Sequence, residues 1–403
     1  MIFLSDEIKA ELYSVGIKQK DSLQEKGNLY FAIHGRPNPR IWLIPCRSRL
    51  EQLAGLKLFE PPNISARIAK TIFRMLVNLR LMNFFLKPTI ALSPSELLEK
   101  IFNHKNLSYA VFTGTKSPHR KSVIQVQTQC GRVLGYCKSS SQAAVKPLLQ
   151  AEKKALESLN SMNLKTAVIP IVIHFIDREK SIVLITDSSK SQLRRSCRLS
   201  QAHFNFLLEL RRKTAVHDPD ASSYILAQLK DRLKNLQLTD VVLSNVLKAN
   251  LLLAEDLCGK VSPSLCMCHG DFTPWNTFLT DGKLYVFDWE YAREKFIVGY
   301  DWLHYQIQTD IFIKKKNGQK IVGQILNRPK KFCMILNTDS IDAIFFSLIT
   351  YLLDMIVCRL ERCASIDTGN EYIHGIEGIA HRQMLQCLQV KTREMHRHET
   401  IWE

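Results

Sequence analysis

Acidic residues are in short supply in this chain. Only 38 Asp and Glu oppose 55 Lys and Arg over 403 residues, a formal charge of +17. Glycine and proline are sparse too, at 16 and 14, which argues against low-complexity and all-β repeat architectures and for a helix-rich protein. No apolar run is uninterrupted over the ~20 residues that a membrane span needs. The chain turns acidic at Asp6 and Glu7 before an apolar leader could form, so no secretory signal is expected. No cysteine framework is recognisable either. Eleven cysteines are scattered without regular spacing, Cys266 and Cys268 have one residue between them, and no second pair follows. They read as reduced, packed thiols and not as a zinc site.

What remains is ordinary globular composition, with 46% hydrophobic and 23% charged residues, which excludes intrinsic disorder. The length admits two to three domains. The positive charge fits nucleic acid, anionic lipid or a phosphate-bearing ligand. Neither zinc-finger spacing nor a ribonucleoprotein-type aromatic motif is present, so no nucleic-acid partner is expected.

Residues 1–92 hold 14 Lys and Arg against 7 Asp and Glu, a charge of +7. They read as a basic extension made of a short hairpin, Leu29–His34 and Arg40–Ile44, and a helix from about Ile64 to Leu86. On that helix Ile64, Ile68, Ile72, Met75, Leu79, Met82 and Leu86 share one face, and Arg67, Lys70 and Arg74 share another. The ordinary reading packs the apolar face on the rest of the protein. The functional alternative lays residues 64–86 on a membrane surface. Ser93-Pro94-Ser95-Glu96 predicts a helix start. Short strands follow at Tyr109–Thr113, Ser122–Gln129 and Val133–Lys138, then a helix, then a hairpin from Ile169–Ile176 to Ser181–Thr186. Beyond Asp187 the pattern is helical. Ile341–Arg359 suits a buried core helix better than a membrane span, and the basic stretch from Lys314 to Lys331 reads as a solvated loop.

The chemistry concentrates in Cys268-His269-Gly270-Asp271-Phe272-Thr273-Pro274-Trp275-Asn276 and Leu284-Tyr285-Val286-Phe287-Asp288-Trp289-Glu290. Asp271 and Asn276 sit five apart in a loop, and Asp288 closes an apolar strand. Such hard oxygen ligands suit Mg²⁺ shared with substrate phosphates, and a second carboxylate is available to address a nucleophile.

These two segments resemble the catalytic core of the aminoglycoside phosphotransferase and choline kinase family, whose pattern is His-Gly-Asp, Asn five residues after the Asp, and a hydrophobic strand ending in Asp-Trp/Phe-Glu. The Pro274-Trp275-Asn276 ending is similar to a bacterial branch of uncharacterised substrate, some of whose members sit beside surface-polysaccharide genes. The resemblance covers about residues 105–310. It implies an α+β, protein-kinase-like two-lobe fold, with a small mixed β lobe at 93–188 and a large helical lobe at 189–403, preceded by the extension at 1–92. It further implies ATP or another nucleoside triphosphate with Mg²⁺, and a small-molecule or saccharide hydroxyl as acceptor. Asp271 would be the catalytic residue, Asn276 and Asp288 the metal ligands, and His269 and Asp301 structural supports of the loop. Lys138, with Glu152 or its rival Glu157 on the next helix, would bind phosphate. Gly114 and Thr115 would begin the phosphate loop, where Lys116, Arg120 and Lys121 add charge in place of further glycines. Thr186 and Asp187 would contact the base. The alternative is a nucleotide-binding pseudokinase or scaffold that docks a membrane or partner through the basic N-terminal region. The expected location is cytoplasmic, with the inner membrane surface as a peripheral site.

Overall fold

The computed structural model describes every residue except 1, 26, 36–39, 59–63, 116, 189–194, 237, 239, 281, 365–368 and 400–403, so the contribution expected of Lys116 lies outside the described residues. The chain divides into two compact units, one of residues 1–157 and 170–189, the other of residues 158–169 and 190–403.

The first unit is built on strands β1 (Asn28–Gly35), β2 (Arg40–Pro45), β3 (Ile90–Leu92), β4 (Ser108–Phe112), β5 (Ser122–Gln127) and β6 (Val133–Ser140). After β7 (Ala167–Val168), which belongs to the second unit, β8 (Val172–Arg178) and β9 (Ser181–Asp187) complete it. All but β7 form one eight-stranded antiparallel sheet in the order β3-β1-β2-β4-β5-β6-β9-β8. Successive side chains of a strand point to opposite faces, and β1 shows the consequence. Tyr30 and Ala32 enter a core completed by Leu12 and Leu98, from helices α1 (Asp6–Tyr13) and, further along, 96–101. Phe31 and Ile33 enter a second core with Leu56, Val77 and Met82.

Residues 1–92 are therefore not an extension. They supply three strands of the sheet, and the boundary expected at 92 divides nothing. Glu11 of α1 seals the join: wholly buried, it receives both terminal nitrogens of Arg120, at 2.8 and 2.9 Å, and the Ser122 hydroxyl at 2.5 Å. Burial pushes the Glu11 carboxyl up, against the lowering pull of Ser122 and Arg120. After α2 (Arg49–Gly55), the helix expected over residues 64–86 is two pieces, α3 (Ile64–Asn78) and α4 (Met82–Phe85). Only part of the face expected inside is there: Met82 and Leu86 pack inward with Phe73, Leu76 and Val77, whereas Ile68, Ile72, Met75 and Leu79 are 51–62% exposed, and the Ile64 side chain lies outside the described ones. Helix α5 (Glu96–Ile101) is capped by Ser95, two residues later than Ser93, and α6 (Lys146–Ser161) follows.

The second unit is mainly helical: α7 (Gln201–Thr214), α8 (Ala221–Asn235), α9 (Val241–Cys258), then, after four short strands, α10 (Tyr300–Gln308), α11 (Gly318–Asn327), α12 (Lys330–Leu336), α13 (Ile341–Ala364), α14 (Gly369–His374) and α15 (Ile376–Glu399). The strands are β10 (Leu265–Cys268), β11 (Thr277–Thr280), β12 (Lys283–Val286) and β13 (Arg293–Ile297). β10 pairs with β13, and β12 lies between β11 and β7. Helix α13 is long and apolar enough to cross a membrane, but 78% of that stretch is buried against α8, α9 and α15. Its Asp354 is held at 2.6–2.8 Å by Arg293 and Arg232. Burial raises that carboxyl and the two arginines overcome it, leaving it below the ordinary range. The Lys314–Lys331 stretch is not a loop. It folds as α11 and the start of α12, burying Ile321, Val322 and Ile325, while Lys314 and Lys316 clasp the buried Asp310.

Candidate active site

In the second unit β10 ends at Cys268, and the next three residues turn sharply. Gly270 has φ +79°, and a Cβ there would lie 2.1 Å from the Tyr291 carbonyl oxygen, so only glycine fits. The turn is fixed from below by Asp301, whose carboxylate oxygens accept the backbone N–H groups of His269 at 2.7 Å and Gly270 at 3.1 Å. Burial raises the Asp301 carboxyl, partly offset by His269 and the two amides.

His269 is fully buried and works in two directions. Its Nε2 donates to the Phe287 carbonyl at 2.9 Å, and its Nδ1 accepts the Asp271 N–H at 3.2 Å. With both nitrogens committed, it joins the loop to the segment after β12. Trp289, also fully buried, packs on the imidazole with ring centroids 4.5 Å apart, and its indole N–H reaches the Val286 carbonyl. Between these anchors Asp288 takes φ +69°. Among non-glycine residues, Asp tolerates that left-handed conformation better than most.

This framework presents Asp271, whose side chain is 26% exposed. Asn276 Nδ2 donates to Oδ2 at 2.8 Å and to the Asp271 main-chain carbonyl at 2.9 Å. With its nitrogen so committed, Asn276 has its carbonyl oxygen as the atom a cation would take. The other Asp271 oxygen meets His304 Nε2 at 3.0 Å. His304 Nδ1 lies 3.0 Å from the Tyr351 hydroxyl. An imidazole with its proton on Nε2 satisfies both contacts, accepting from Tyr351 and donating to Asp271. Asp271 is therefore oriented through both oxygens by donors of which neither is an arginine or lysine.

His304 was missed by the sequence reading. It sits three residues after Asp301 on α10, the spacing that puts two side chains on one helix face. That spacing is the signal that could have found it. The carboxylates of Asp288 and Glu290 offer oxygens within 4.8 Å of each other. Together with the Asn276 carbonyl they are the hard oxygen donors that Mg²⁺ prefers over nitrogen or sulfur, so the donor set fits that ion. The neighbouring thiols do not compete: Cys266 and Cys268 are buried, and burial pushes both up, Cys266 to about 12.

In the first unit Lys138 projects from β6 and places its Nζ 2.5 and 2.6 Å from the two Glu152 oxygens on α6. Lys138 is 15% exposed and Glu152 is 3% exposed. Glu157 pairs with Lys153 instead. Gly114 has φ +74°, and a Cβ there would lie 2.5 Å from the Lys121 carbonyl oxygen. Thr115 follows it, half-buried. The expectation that Arg120 faces a polyphosphate is overturned, because its guanidinium is turned inward on Glu11, with the Thr113 carbonyl and Glu7 as further partners. Thr186 and Asp187 end β9, where Asp187 exchanges hydrogen bonds with Ile171 through its main-chain N–H and its Oδ1.

Residues 196–297 match the family model described as "Phosphotransferase enzyme family". That span contains Asp271, Asn276 and Asp288. No curated protein matches the chain. Among solved structures, it is similar to a thermostable mutant of aminoglycoside phosphotransferase APH(4)-Ia in complex with ADP and hygromycin B, at 10% identity and TM-score 0.48, over 73% of this chain and 97% of that one. It is also similar to the streptomycin-ATP-APH(2")-IIa complex, at 15% identity and TM-score 0.43, over 72% and 96%. A third is a putative fructosamine-3-kinase from Haemophilus somnus 129PT, at 13% identity and TM-score 0.43, over 73% and 94%.

Proposed function

We propose that this chain is a kinase-like phosphotransferase, a reading supported by the match over residues 196–297, and that it transfers the γ-phosphoryl group of ATP, with Mg²⁺, to a hydroxyl of a small molecule or saccharide. The observation that carries the reading is the Asp271 carboxylate, part-exposed and held through both oxygens by Asn276 and His304. A carboxylate aimed by an amide and an imidazole has its free lone pairs placed for an incoming hydroxyl. It orients that hydroxyl and takes its proton as the new O–P bond forms and the bond to the departing ADP breaks. Because the phosphoryl group carries most of the change itself, positioning matters more than covalent participation.

Asn276 and Asp288 would hold Mg²⁺, with Glu290 close to Asp288. The ion supplies charge neutralisation on the phosphate oxygens when bound. Lys138, kept in place by Glu152, would pair with nucleotide phosphate oxygens as a point charge. Gly114 and Thr115 would bring main-chain N–H groups to the phosphates, and Thr186 and Asp187 would meet the base. His269 and Asp301 hold the loop without touching substrate. The cytoplasm, where ATP is abundant, is the proposed location.

The test is Asp271→Ala, assayed with labelled ATP against pooled small-molecule and saccharide acceptors. Transfer is expected to fall by about 10³-fold, while ATP still raises the melting temperature in the presence of Mg²⁺. Unchanged transfer in the variant would sink the proposal. ATP binding by the native chain without transfer to any acceptor would favour the scaffold instead.

A further inference from the structure

Among the described residues, an extended apolar surface on α3 and α4 is left exposed. Ile68, Ile72, Met75 and Leu79 recur at i, i+4, i+7 and i+11, which aligns them along one side of α3 over about 16 Å. They are 56%, 51%, 57% and 62% exposed, and past the end of α3 Phe84 and Phe85 are 89% and 67% exposed. The helix does not need this stripe for its own packing, since Phe73, Leu76 and Val77 already seat it on the sheet. Scattered exposed leucines need no explanation, but six large apolar side chains in succession do.

Charge identifies the occupant. Between Glu60 and Glu96 the sequence has no acidic residue, and Arg67, Lys70, Arg74, Arg80 and Lys87 lie in that stretch. On α3, Arg67 and Arg74 are two turns apart and both exposed. At 100° per residue they line the side of the helix opposite to Ile72, with the outward surface between. An apolar stripe beside a cationic edge, on a segment of one sign, is the arrangement that lies in the interface of an anionic bilayer. A second copy of the chain is disfavoured, because stripe-to-stripe contact would bring two cationic edges together without a compensating acid.

We propose that α3 and α4 dock this protein on an anionic lipid surface, with Ile68, Ile72, Met75, Leu79, Phe84 and Phe85 entering the acyl boundary and Arg67 and Arg74 meeting headgroup phosphates. This docking is independent of the phosphotransfer chemistry and stands or falls separately from it. Such a location would favour acceptors presented at the membrane.

The experiment is co-sedimentation of the full chain with vesicles of phosphatidylcholine alone or with about one third phosphatidylglycerol. Binding is expected to the anionic vesicles, at least about tenfold tighter than to neutral ones, and to weaken as salt rises. Ile72→Glu with Met75→Glu is expected to bring pelleting to background, and Arg67→Glu with Arg74→Glu to weaken it about tenfold or more. All four side chains are exposed, so unchanged melting temperatures are expected and certify the fold. Equal binding to both vesicle types, no binding, or full binding by Ile72→Glu/Met75→Glu would each overturn the proposal. So would a dimer in sedimentation that the same double variant converts to monomer while vesicles are ignored, since that outcome assigns the stripe to a second copy.

Discussion

Glu11 and Asp271 are both carboxylates with a partner on each oxygen, yet the two regions put them to opposite uses. Glu11, wholly buried, meets the forked guanidinium of Arg120 bidentately, and Ser122 takes a further lone pair. Its charge is cancelled where it stands. Asp271, a quarter exposed, is gripped by an amide and an imidazole. Its geometry is fixed while part of the carboxylate stays open to solvent. Neutralised and enclosed, a carboxylate is a staple; oriented and partly exposed, it is suited to serve as a reagent.

The strongest way to break this comparison is to delete each carboxylate and read both properties. Asp271→Ala should lose about 10³-fold in transfer but move unfolding free energy by no more than about 1 kcal/mol. Glu11→Ala should do the reverse. It strands Arg120 inside the first unit and is expected to cost about 3–5 kcal/mol in urea unfolding, with the folded fraction still active. If Glu11→Ala cost less than about 1 kcal/mol, as exposed pairs do, the distinction would collapse.

A third measurement concerns buried imidazoles in the second unit. Burial pushes both His203 and His381 down to about 4, against an ordinary value near 6.5. A base whose folded value is depressed stays neutral in the native state while the unfolded chain takes up a proton. Its stabilising contribution is therefore complete above about pH 6.5 and drains away as pH falls from there towards 4. Each is worth roughly 3 kcal/mol over that interval. The melting temperature should decline across pH 6.5 to 4, and His203→Gln should flatten part of that slope. A melting temperature constant over the interval would refute the assignment.

How far the sequence could be read depended on the range of the interactions involved. His269, Gly270, Asp271, Asn276 and Asp288 lie within twenty residues and answer to one loop, so their spacing alone located them. The strands on either side of Lys138 and the core helix around Asp354 were legible for the same reason, through local periodicity. Arg120 was misread because its partner is 109 residues away, and nothing local tells an inward arginine from an outward one. Helix α3 shows a different limit. Periodicity identifies faces but not which face finds a partner, and Phe73, Leu76 and Val77 had as good a claim to the interior as the longer stripe. The Lys314–Lys331 stretch was taken for a loop on its charge, although Ile321, Val322 and Ile325 carried helical spacing.

His304 provides the finest test, since it asks whether orientation of Asp271 matters beyond the presence of its charge. It is buried, it joins Asp271 to the Tyr351 hydroxyl, and it is not itself placed to meet substrate. Replacement by alanine removes one of two donors that aim the carboxylate and leaves a small void beside the Tyr351 hydroxyl. A purely structural role predicts lower stability and, per folded molecule, unchanged turnover. A positioning role predicts that kcat falls about tenfold, a loss of roughly 1.4 kcal/mol, while KM for the nucleotide is unaffected. Glutamine, which keeps an N–H donor at similar reach, should recover part of kcat. Equal kcat in His304→Ala and the native chain at matched folded fraction would mean that Asn276 alone aims Asp271. The carboxylate would then owe its role to exposure, and the comparison with Glu11 would rest on burial rather than on the identity of the donors.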